Sequence, residues 1–223
     1  MKNILLVLSF LFILNLGYSQ NSDFKKNEIS VGLINLAESP KNQDILFENS
    51  YYFVPFSHLT LKRFLNEQNA IRFTYYRPIN KSNEKPFDNW NDNSDYKEQV
   101  FKLGYEYIFK QKTITPYLAL DISYLKSKSS RFSGGGITAL YSETESKING
   151  IGLSPTVGIQ YKIHNNVFIG LESNFTIFNL KEEKTSSQWS EVDPELNEPE
   201  TTETDHAVDY VFNPFVFLVK VKF

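Results

Sequence analysis

Between Lys147 and Leu180 the sequence alternates apolar and polar residues through two long arms, joined by Ile163-His164-Asn165-Asn166. The first arm places Ile151, Leu153, Pro155, Val157, Ile159 and Tyr161 at every second position, with Gly152, Ser154, Thr156, Gly158 and Gln160 between them. The second puts Val167, Ile169, Leu171, Phe175 and Ile177 on one face, and Gly170, Glu172, Asn174 and Thr176 on the other. Successive side chains of a strand point to opposite sides, so this spacing is that of an antiparallel hairpin with one apolar and one polar face. Each arm reaches roughly 12 residues, where an ordinary globular strand has about 5–6. A tilted strand of about 9–11 residues crosses a bilayer, so arm length alone leaves few architectures open.

The same alternation recurs over residues 28–37, 51–65, 70–78, 96–109, 115–126 and 207–223, which makes eight expected strands and seven connections. The second, fourth and sixth connections, among them Asn66-Glu67-Gln68-Asn69, are short, polar and turn-like. The other four are longer: 38–50, 80–95, the stretch around Gly134-Gly135-Gly136, and 181–206. Strict alternation of long and short connections is the pattern of an up-and-down barrel with short periplasmic turns and long external loops. The expected fold is therefore all-β, a closed eight-stranded antiparallel up-and-down transmembrane β-barrel. The last connection carries nine carboxylates from Glu182 to Asp205 against Lys181 and Lys184, and reads as a solvated, mobile acidic loop. Its spacing matches no calcium loop, and the triple glycine lacks the Gly-Lys-Ser/Thr ending of a phosphate cradle.

Composition is read in that light. A hydrophobic content of 41% and a mean hydropathy of −0.35 resemble a soluble protein, but alternating strands hide their apolar face from any window average. The 19 Phe and 13 Tyr find a reason as interfacial girdles: Tyr51, Tyr52, Tyr96, Phe178 and Tyr210 near the outer strand ends, and Phe64, Tyr107, Phe109, Tyr161 and Phe168 near the inner ones. There is no cysteine, hence no disulfide framework and no thiolate metal site, and no cofactor is expected. A net charge of −3 without a Lys/Arg cluster gives no ground for nucleic-acid binding. Lys2, the apolar run Ile4–Leu14 and Gly17-Tyr18-Ser19 read as a secretory signal over 1–19, leaving one domain over 20–223.

With the apolar faces toward lipid, the polar faces meet inside a lumen just wide enough for side chains to fill. The inward set contains Lys62, Arg72, Lys102, Glu106, Asp121, Glu172 and Lys220, and unpaired charges there would be costly. Arg72 and the lysines are therefore expected to pair with the three carboxylates as a salt-bridge network, giving a plugged core without a diffusion pore. His58, His164 and His206 have no nucleophile at diagnostic spacing, and Ser57 next to His58 points to the opposite face. No catalytic residue is assigned on this reading.

With its eight alternating strands, signal sequence and aromatic C-terminus, the chain resembles the small eight-stranded outer-membrane barrels of Gram-negative bacteria, the OmpA/OmpX-like class, over residues 27–223. The resemblance implies outer-membrane lipid and lipopolysaccharide as surroundings. It also implies an assembly signal for the barrel-assembly machinery at Phe217, Val219, Val221 and Phe223. It implies a scaffold presenting external loops, and no peptidoglycan-binding segment is expected after Phe223. The competing classes are a barrel enzyme acting on outer-membrane lipids, a small transport channel, and a soluble lipocalin-like carrier with its apolar face inward.

Overall fold

In the computed structural model the described residues are 25–38, 51–53, 56, 58–77, 80–87, 90–109, 113–135 and 139–223. The signal segment 1–19, the connection 39–50, Ser57 and Gly136 lie outside them. The strands are β1 (Asn27–Glu38), β2 (Tyr51–Phe53), β3 (His58–Phe64), β4 (Asn69–Tyr76) and β5 (Asn80–Phe87), then β6 (Trp90–Ile108), β7 (Ile114–Gly135), β8 (Leu140–Lys162), β9 (Val167–Ser190) and β10 (Glu198–Lys222). All pairings are antiparallel, and β10, β9, β8, β7, β6, β4, β3 and β1 follow one another until β1 meets β10 again. That is a closed eight-stranded up-and-down barrel. Closure leaves no sheet edge in the ring, which satisfies every ladder group where water is absent.

The turns follow from local chemistry. At one inner end, Asn66 Oδ1 accepts from the backbone N–H of Gln68 and Asn69, at 2.9 Å each, while Leu65 donates to the carbonyl of Asn69. The turn Ile163-His164-Asn165-Asn166 closes through Ile163 and His164, which both donate to the Val167 carbonyl. β1 and β10 lock nearby: Asn27 N–H donates to Phe223 O at 3.0 Å and Phe223 N–H returns to Asn27 O at 2.9 Å. Register breaks sit between Gly32 and Ile34 in β1 and between Asn213 and Val216 in β10. The second contains Pro214, which has no N–H for a ladder and is tolerated at a bulge.

Exposure is inverted relative to a water-soluble barrel. Leu103, Tyr105, Leu118, Leu120, Ile122, Ile151, Leu153, Val157 and Ile159 face outward and are exposed, while Lys62, Arg72, Glu106, Asp121 and Lys220 are buried inside. A closed ring with an apolar belt outside and charges inside is a transmembrane β-barrel. The inversion also contradicts the lipocalin-like arrangement, which needs the apolar face inward.

Two features depart from the sequence expectation. The last three long connections are, over their described residues, not loops: β6 to β10 run 19, 22, 23, 24 and 25 residues and rise past the apolar belt as continuous β-ribbons. The acidic stretch 181–206, expected to be mobile, forms the arms of the β9–β10 hairpin, closed by a short 3-10 turn at Pro194–Leu196. Asp193 caps that turn by accepting from Glu195 N–H at 3.1 Å. Gly134 and Gly135 likewise belong to β7 instead of a loop tip. The girdle assignment also needs correction. Tyr107, Phe109, Tyr161 and Tyr210 are exposed on the outer face, but Phe64 and Phe178 are buried in the lumen, where strand parity puts them.

Candidate functional site

The lumen is layered. At its centre Arg72 is 1% exposed, and its Nε and Nη2 donate to Asp121 Oδ1 and Oδ2 at 2.8 and 2.9 Å, a bidentate pair. Arg72 and Asp121 are not on neighbouring strands. Gly104 stands between them in register, opposite Arg72 on one side and Asp121 on the other. A Cβ on Gly104 would overlap the Asp121 carboxylate, so the missing side chain is what lets Asp121 reach across to Arg72. The guanidinium Nη1 also donates to Glu106 Oε2 at 3.2 Å and to Glu172 Oε1 at 3.4 Å.

The same device appears a second time. Gly158 lies in register between Tyr117 and Glu172, and a Cβ there would overlap the Tyr117 ring. Tyr117 leans across it and donates its hydroxyl to Glu172 Oε1 at 2.7 Å. Lys220 then donates to the Tyr117 oxygen at 2.8 Å, with its ammonium 4.1 Å from the ring centroid. Lys62 completes the inner part, pairing with Glu106 at 2.8 Å and Glu28 at 3.1 Å.

All seven inward charges named from the sequence are thus in the lumen, but two pairings differ from expectation. Glu28 is a fourth lumen carboxylate that sequence reasoning missed, although it alternates with the outward Ile29 and Val31. Lys102, expected to pair with a carboxylate, instead donates to three neutral oxygens: Ser154 Oγ at 3.0 Å, Asn174 Oδ1 at 3.1 Å and Thr176 Oγ1 at 3.3 Å. The polar core is balanced, with Lys62, Arg72, Lys102 and Lys220 against Glu28, Glu106, Asp121 and Glu172, while the buried Glu98 lies outside it.

Apolar layers close this polar core from both ends. Toward the ribbons lie Tyr76, Val100, Leu125, Phe178 and Leu180, with Ile148 and Val211 against them. Toward the short turns lie Phe64, Ala70, Ile108 and Tyr117. Just above the outer layer, Glu98 is buried and accepts a hydrogen bond from the Tyr96 hydroxyl. Desolvation raises the Glu98 pKa, the hydrogen bond from Tyr96 opposes that rise, and Asp209 adds to it. Tyr96, expected in the outer girdle, therefore turns into the mouth of the barrel.

The histidines do not assemble a catalytic group. His58 is buried in the lumen with its Nε2 2.9 Å from Thr60 Oγ1, itself 2.8 Å from Thr74 Oγ1. His206 is exposed on the β10 ribbon opposite Lys181, and His164 is exposed in an inner turn. Among the described residues no three His, Cys, Asp or Glu side chains gather in a way that could hold a metal ion. On β10, Phe217, Val219 and Val221 share the outward face, opposite to the buried Val216, Leu218 and Lys220.

The remaining surface is that of the ribbons. On the outer face of β7–β9, Glu145 bridges Lys128 at 2.8 Å and Lys147 at 2.6 Å. Those two hydrogen bonds hold its carboxyl down at about 2. Farther out, the rings of Tyr141 and Trp189 stack at 5.8 Å, and Phe132 lies about as close to each.

No family model matches the chain, and no curated protein sequence does. Among solved structures it is similar to Ail, the attachment invasion locus protein of Yersinia pestis, at 14% identity and a TM-score of 0.45, covering 90% of this chain and 100% of that one. It is also similar to a major outer membrane protein from Thermus thermophilus, at 9% identity and a TM-score of 0.47 over 89% of this chain and 98% of that one. A third is the outer membrane protein AlkL, at 12% identity and a TM-score of 0.43 over 92% and 94% of the two chains. The fold assignment itself stands on the closed ring and its inverted exposure.

Proposed function

We propose that the protein is an outer-membrane barrel with a structural and interaction role, whose ribbons face the outside of the cell and whose lumen conducts nothing. The observation that carries this reading is the filled interior. A four-against-four charge network between two apolar layers leaves the ribbons as the part free to act. Binding function commonly sits on the segments that a rigid scaffold holds out.

On this reading the chain is exported by a cleaved signal over 1–19 and embedded in outer-membrane lipid and lipopolysaccharide. It is folded by the barrel-assembly machinery through Phe217, Val219, Val221 and Phe223. It carries out no chemistry and needs no cofactor. A transport channel would require the network around Arg72 to open. A lipid-modifying enzyme would require a nucleophile beside a histidine within reach of lipid, and the Thr60 hydroxyl beside His58 is sealed in the lumen.

Because the chain has no cysteine, location is directly testable. Asp193→Cys, in the tip of the β9–β10 hairpin, is expected to react with a membrane-impermeant maleimide on intact cells. The unheated protein is expected to run faster than the boiled one on a denaturing gel. Labelling only after lysis would place the ribbons on the wrong side and end the reading.

A further inference from the structure

Through the belt of exposed apolar residues the ring is closed, but above it the ring opens, and among the described residues β10 is the longest strand left at an edge. β10 pairs with β1 only from Phe215 to Lys222, whereas it pairs with β9 up to Glu198. From Glu198 to Asn213 the other side of β10 has no partner strand among the described residues. From Glu198 to Val208 the side chains on both faces are exposed. Among the described residues, about 30 Å of that strand, from Val208 outward, therefore keeps its outer row of backbone donors and acceptors unpaired. Native proteins seldom leave an edge of that length uncovered.

We propose that this edge binds an extended, lysine- or arginine-bearing segment of a partner protein as an added β-strand, a refinement that rests on the outward placement of the ribbons proposed above. The backbone ladder calls for a polypeptide, because only another extended chain offers donors and acceptors at the same repeat. Charge decides which polypeptide. The edge segment carries Glu198, Glu200, Glu203, Asp205 and Asp209 and neither lysine nor arginine. Thr201, Thr202 and Thr204 between them favour the extended backbone. Oppositely charged side chains facing one another across a strand pair attract, and like charges repel. A second copy of the same edge would set carboxylates against carboxylates, so self-pairing is disfavoured and a basic strand fits.

The test uses the full-length protein in nanodiscs and three probes. They are an alternating Thr/Lys peptide, the same peptide with alternate backbone amides N-methylated, and an alternating Thr/Glu peptide. The Thr/Lys peptide is expected to bind and to slow hydrogen exchange at alternate amides within 198–213. The N-methylated and Thr/Glu peptides are expected to bind about tenfold more weakly or worse, having lost the ladder bonds or the charge match. Replacing Glu200, Glu203, Asp205 and Asp209 by their amides should weaken the Thr/Lys peptide similarly.

Equal binding of the N-methylated peptide would overturn the proposal, because charge without strand pairing would then suffice. Absence of Thr/Lys binding, or sedimentation as a ribbon-linked dimer, would overturn it too. Since the probes reach purified protein from either side, failure here is distinct from failure of the maleimide experiment.

Discussion

Replacing Arg72 by Met removes the hub of the lumen, and the structure says which of its partners is stranded. Glu106 keeps Lys62 at 2.8 Å, and Glu172 keeps the Tyr117 hydroxyl at 2.7 Å and Lys220 at 3.8 Å. Asp121, fully buried, loses both of its bonds to the guanidinium. The variant's polar core therefore contains one carboxylate with no cation beside it, and three cations against four carboxylates. Removing one member of a buried pair costs about 3–5 kcal/mol, chiefly from the charge left behind. Methionine fills most of the vacated space, so the cavity contribution is small beside the electrostatic one.

The assay is urea unfolding of the barrel refolded in micelles, followed by tryptophan fluorescence and by mobility of unheated samples. R72M is expected to lose about 3–5 kcal/mol. R72M/D121L, which restores the balance at three against three, should recover most of that loss, since exchanging a whole buried pair for apolar residues is often neutral. A loss below about 1 kcal/mol in R72M, or a double variant as unstable as the single one, would refute the reasoning. Charge stranding in a dry lumen would then not be what holds this interior together.

Other outcomes are expected. Gly158→Val drives a side chain into the Tyr117 ring and should cost about 1–3 kcal/mol of overpacking, visible as a lower urea midpoint; an unchanged midpoint would mean Tyr117 can move aside. The Glu98 pKa is raised, so the folded state holds its proton in a pH window where the unfolded chain has released it. Stability should therefore fall as pH rises from the ordinary carboxylate range through that raised value, and Glu98→Gln should flatten the slope. A slope that survives in Glu98→Gln would assign it to another group. In planar bilayers the protein should show no stable porin-size conductance, and steady open channels would show that the network around Arg72 opens.

Much of this architecture is legible in the sequence because a strand in a membrane barrel has no freedom in its parity. Lys62, Arg72, Lys102, Glu106, Asp121, Glu172 and Lys220 each alternate with lipid-facing residues, and a slip of one position would carry every charge into the hydrocarbon. The same rule places Glu28, Phe64 and Phe178 inside. Nearness to strand ends, which suggests a girdle for Phe64 and Phe178, is a weaker criterion than the side from which they project. The ribbons are illegible for a different reason. Where both faces of a strand meet water, as along Thr201–Asp205, neither apolar residues nor alternation is required. Such a strand then has the composition of a loop. The partners of Lys102 are equally hidden, because they come from strands two and three removed around the ring, a curvature that no linear pattern contains.

The seam between β1 and β10 also sets an order of events. It joins Asn27 to Phe223, so its closure must wait until every strand between them has been made. Pairs between sequence neighbours close small loops, whereas this pair closes the largest loop in the ring, and long-range closure is slow. β1 pairs with β3 early on one flank, but its other flank waits for β10, and until then it is the bare side of an unfinished cylinder. The interval before closure is when this protein has the most unpaired backbone to protect.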